Sequence, residues 1–91
     1  MRLFKQSDIG KLVCLELKPE YDSTLSGTGI PVYIYGKVLS VREQGVHVVS
    51  YIPFHSKVLR RTEFVPYDMI TRRRFLNLGV PQLRRRLLAQ E

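Results

Sequence analysis

The stretch Val32-Tyr33-Ile34-Tyr35-Gly36-Lys37-Val38-Leu39-Ser40-Val41-Arg42-Glu43-Gln44-Gly45-Val46-His47-Val48-Val49-Ser50-Tyr51-Ile52 decides the fold. Nearly every residue from Val32 to Val41 is apolar or aromatic, so the run to about Arg42 reads as a central strand. Gly36 in its interior predicts a kink or bulge, the usual way to curve a sheet. Arg42-Glu43-Gln44-Gly45 reads as a hairpin turn with Gly45 available for a positive φ. Val46 to Ile52 is the return strand, which Pro53 ends or edges.

The same reading extends outward. Upstream, Ser7-Asp8-Ile9-Gly10 is a turn opening a strand from Lys11 to Leu17. That strand carries Val13, Leu15 and Leu17 on one side and Leu12, Cys14 and Glu16 on a second, partly covered side. Lys18 to Pro31, rich in Gly, Ser and Pro, is a long loop. Downstream, His55-Ser56-Lys57 is a turn, Val58 to Val65 a fourth strand, and Pro66 to Ile70 a single helical turn. Arg72 to Leu76 is a fifth short strand. Gly79-Val80-Pro81 opens a helix to about Gln90, with Val80, Leu83 and Leu87 in one arc.

Composition agrees with a mostly β chain. Ten valines, five isoleucines, four threonines and nine aromatics favour a pleated surface, against one alanine, Ala89. Ninety-one residues make one domain, with a modest core shared by every element, and exclude a large multi-part enzyme. No apolar run is long enough for a spanning helix, and no signal peptide is visible. Cys14 is the single cysteine, which excludes an internal disulfide and a cysteine-based zinc cluster and fits a reducing, cytoplasmic setting.

Five short strands, a long first loop, tight later hairpins and a one-turn helix before the last strand resemble the SH3-like small β-barrels of the Tudor, KOW and Sm-like types. Asp8-Ile9-Gly10-Lys11 and Tyr67-Asp68-Met69-Ile70 are the most suggestive marks. The resemblance implies a barrel over residues 7–76 carrying a terminal helix over 80–90. An OB-like barrel or an open α+β sheet stays open as an alternative.

Charge is the strongest functional signal. Residues 1–56 hold six basic and five acidic side chains, whereas residues 57–91 hold nine basic and three acidic. Arg60-Arg61, Arg72-Arg73-Arg74 and Arg84-Arg85-Arg86 form three clusters. Guanidinium groups are always ionised, weakly hydrated and offer paired donors that suit phosphate. Adjacent arginines on a strand point to opposite faces, so Arg72 and Arg74 share a face while Arg73 looks away, and Arg60 and Arg61 split likewise. The plainer alternatives are a solvated face, or pairing with Glu63, Asp68 and the Glu91 carboxylates. Tyr33 and Tyr35 share a strand face with Lys37 and are candidate stacking rings, although alternating aromatics in a central strand usually belong to a core.

Little points to catalysis. His47 and His55 lack metal-ligand spacing, Cys14 sits among leucines, and Glu20 and Asp22 lie in a loop. Ser26-Gly27-Thr28-Gly29 lacks the lysine and following helix of a phosphate-cradling loop. The expectation is therefore a non-enzymatic protein with no cofactor, binding DNA or RNA through Arg60, Arg61, Arg72, Arg74, Arg84, Arg85 and Arg86, with Tyr33 and Tyr35. The alternative is an interaction module, or an accessory or inhibitor protein of the kind a phage or plasmid encodes, that docks on an acidic protein or on a second copy of itself. No membrane partner is expected.

Overall fold

A computed structural model describes residues 3–89. The described residues are mostly β, with five antiparallel strands and one C-terminal helix. The strands are β1 (Leu12–Leu17), β2 (Val32–Val41), β3 (Gly45–Phe54), β4 (Lys57–Pro66) and β5 (Ile70–Phe75), followed by α1 (Val80–Ala89). Single 3-10 turns, Gln6–Asp8, Pro19–Tyr21 and Tyr67–Met69, precede β1, follow it and precede β5. The sheet order is β4-β3-β2-β1-β5 and the sheet is not closed. The helix ends at Ala89; the expected extension to Gln90, like the Glu91 carboxylates, lies outside the described residues.

Both faces of the sheet are apolar, which gives two cores where one shared core was expected. Strand alternation sends Val13, Leu15 and Leu17 of β1 to one side. There they join Phe4, Ile34, Val38, Val41, Val46, Val48 and Val65. The opposite side presents Leu12 and Tyr51, which α1 covers with Leu83 and Leu87. Removing each leucine from water stabilises the docked helix by roughly 1.5–3 kcal/mol. A ten-residue helix would not persist in isolation, so this packing is what holds α1.

Four turn and strand expectations are corrected by the backbone. Gly36 does not mark the bulge: β2 and β3 shift register between Val38 and Ser40. Gly36 instead admits the β3 backbone, since a Cβ there would lie 2.7 Å from the Val49 carbonyl oxygen. Gly45 does not take a positive φ. It already belongs to β3, where an added Cβ would meet the Phe64 ring and the Val65 carbonyl at 2.5 Å each. Pro53 does not end β3, which runs on to Phe54 with Pro53 opposite Val58. The β2–β3 register stops at Gly36 opposite Ser50, so the missing Pro53 N–H breaks no pairing on that side. His55 and Ser56 alone make the turn, both with positive φ (48° and 62°), and Lys57 opens β4.

Candidate nucleic-acid interface

The site follows from strand register. On β5, Arg72 lies opposite Glu16 and Arg74 opposite Cys14. On the other flank of β1, Glu16 faces Tyr33 and Cys14 faces Tyr35. Two rows of three side chains therefore cross β5, β1 and β2 on the same sheet face: Arg72, Glu16, Tyr33 and Arg74, Cys14, Tyr35. These six residues line a cavity of about 180 Å³.

Hydrogen bonds fix the middle of the site. Tyr33 donates its hydroxyl to Glu16 Oε1 at 3.1 Å, and Thr71 donates to Glu16 Oε2 at 2.8 Å. Those two donors, Thr71 first, hold the Glu16 carboxyl below its ordinary range, and the Arg72 charge adds to them. The Glu16 bond and charge raise the Tyr33 phenol. Burial, and then the neighbouring Cys14, raises Tyr35. Near neutral pH the cavity thus holds two cations on an open sheet edge, one carboxylate and two neutral phenols. Among the described residues, no carboxylate lies within ion-pair distance of Arg72 or Arg74.

Of the nine residues expected to bind, Tyr33, Tyr35, Arg72 and Arg74 are brought together. Arg60 lies on the same sheet face but on β4, opposite Tyr51. Arg84, Arg85 and Arg86 are exposed on α1, outside the Leu83 and Leu87 contact. Arg61 stands apart. It points to the other face, where its Nη2 lies 3.3 Å from Glu63 Oε1. Tyr21 donates to the same carboxylate at 2.9 Å, while Ser50 Oγ contacts Glu63 and bonds the Arg61 carbonyl at 3.0 Å. These groups line a larger cavity of about 550 Å³ where β2 and β3 part, and their polar atoms satisfy one another. Lys37, although on the tyrosine face, is half-buried beside Leu12 and lines a different hollow.

Arg73 has the opposite fate to its neighbours. Its guanidinium lies 4.7 Å from the Phe75 ring centre and 5.6 Å from that of Phe4, and it donates to the Leu3 carbonyl. Sequence reasoning missed Glu16 and Cys14 as members of the site. The signal was present: both were assigned to the partly covered side of β1, and Glu16 is the one charged residue in Leu12–Leu17. Comparison with protein-family models, with curated proteins and with solved structures returned no match.

Proposed function

We propose that this protein is a small, non-catalytic nucleic-acid-binding domain that holds phosphates through its C-terminal arginines. The observation that carries the reading is the pair Arg72 and Arg74, exposed, with no carboxylate within ion-pair distance among the described residues, and lining one cavity with Tyr33, Tyr35, Glu16 and Cys14. In this reading Arg84, Arg85 and Arg86, exposed on α1, and Arg60, on the opposite edge strand β4, are further phosphate contacts. Arg61 is left out because Glu63 neutralises it. A β1 paired between β2 and β5, with a 3-10 turn leading into β5, supports kinship with SH3-like small barrels at the level of architecture.

Titration of labelled oligonucleotides at several salt concentrations tests the proposal. Five phosphate contacts give a log–log salt slope of roughly −4 to −5 on duplex DNA. Replacing Arg72 and Arg74 by glutamine weakens binding and flattens that slope by about 2. Absence of binding at low salt, or binding indifferent to salt, overturns the proposal.

A second reading, an interaction module, is favoured by β4. This strand has a partner on one side only among the described residues and exposes Leu59 and Phe64. Light scattering at rising protein concentration decides it: a stable dimer that Leu59→Lys disperses supports self-association.

A further inference from the structure

The proposed arginine site contains a carboxylate, which repels phosphate, and this sets where each part of a ligand sits. Arg72 and Arg74 occupy β5, an edge strand, two residues apart on one face, so their Cα atoms stand about 6.6 Å apart along the strand. Glu16 lies one strand inward, and the tyrosines one strand further, about 9.5 Å from β5. A nucleotide laid across these strands places its phosphate at the open edge and its base over β2. Tyr33 is 55% exposed, and its hydroxyl is held by a residue of the neighbouring strand, which ties this exposed side chain across the sheet. Such a fixed, exposed ring is useful only to a base that is already unstacked.

Resting on the nucleic-acid reading above, we propose that the Tyr33–Tyr35–Arg72–Arg74 cavity takes a single unstacked base of a single-stranded nucleic acid, with Tyr33 as the stacking surface and Glu16 accepting from the amino group on the base edge. The cavity, about 180 Å³, suits one planar base and cannot admit a duplex. Glu16 keeps an acceptor position on each oxygen beyond the bonds from Tyr33 and Thr71, because a carboxylate offers about four. An ionised acceptor favours cytosine, whose N4 amino group donates, over thymine, which presents the O4 acceptor in its place.

The test is fluorescence anisotropy with labelled oligo-dC, oligo-dT, an abasic strand of equal length and a duplex, at matched salt. Oligo-dC is expected to bind more tightly than the duplex and the abasic strand. Tyr33→Ala is expected to weaken oligo-dC binding roughly 5- to 150-fold, the value of one base–aromatic stack, without changing the abasic strand or the salt slope. Tyr33→Phe retains most of the affinity because it retains the ring. Glu16→Gln is expected to abolish the preference for oligo-dC over oligo-dT, whereas equal affinity of the unaltered protein for both strikes out the role given to Glu16. Tyr33→Ala without effect, or a duplex bound as tightly as oligo-dC, overturns the base pocket; if Arg72→Gln and Arg74→Gln still weaken binding, the phosphate reading survives. No binding to any probe at low salt overturns both.

Discussion

Three consecutive arginines show how the pleat assigns different work to identical residues. Arg72 and Arg74 face the tyrosine cavity, whereas Arg73 covers the Phe4 and Phe75 rings on the other side. Cation–ring attraction and the buried stem make Arg73 a stability residue, so Arg73→Ala is expected to cost about 1–2 kcal/mol in chemical denaturation. The same variant should leave oligonucleotide affinity and its salt slope unchanged, and Arg72→Ala should show the reverse. The alternation itself was legible in the sequence, because period two is a property of any strand. Of the two rings under Arg73, Phe75, two residues on, shares its face by the same rule, but Phe4 was not legible, since it comes from the opposite end of the chain. Arg61 could have been read better: Glu63, two residues on, necessarily shares its face of β4.

At the scale of elements, the helix is the part with fewest means of holding itself. Its last turn carries Arg86, but its attachment rests on Leu83 and Leu87 against Tyr51 and Leu12. Leu87→Ala is expected to lower stability by about 2–4 kcal/mol and to speed amide exchange throughout α1, both measured on the whole chain. If exchange in α1 stays at the rate of the strands, the helix is held by something else. The succession of five strands along the chain, the 3-10 turn before β5 and the arc of Val80, Leu83 and Leu87 were all legible, because each depends on local pattern and turn chemistry. What misled were Gly36, Gly45 and Pro53. Their roles come from a neighbouring strand: the Val49 carbonyl at Gly36, the Phe64 ring at Gly45, and an early divergence of β2 that spares Pro53. No local signal reports such cross-strand crowding.

For the molecule as a whole, an open sheet is tied across by the loop after β1. Tyr21 reaches from that loop to Glu63 on β4, and burial, then the Glu63 bond and charge, push its phenol from 10.0 up to about 12. A raised folded-state value means that this contribution to stability is complete below pH 10 and is lost as pH climbs toward 12. Unfolding curves for the unaltered protein should therefore fall across that window, and Tyr21→Phe, measured alongside, should fall less steeply there. Equal slopes would mean that the tie does not hold the loop. The uneven distribution of charge was readable from the sequence, but its partition was not. The partition depends on which face each arginine joins and on whether a carboxylate waits there, as Glu63 does for Arg61 and Glu16, held by Thr71 and Tyr33, does beside Arg72.

Where β2 and β3 part company after Gly36 and Ser50, the outer end of the β3–β4 hairpin keeps only its own ladder within the sheet, and α1, packed on Tyr51 and Val58, braces it from one face. On the other face the Ser50–Glu63–Tyr21 junction closes the gap that β2 leaves. Native-state opening should begin at that seam, ahead of the strands flanking β1.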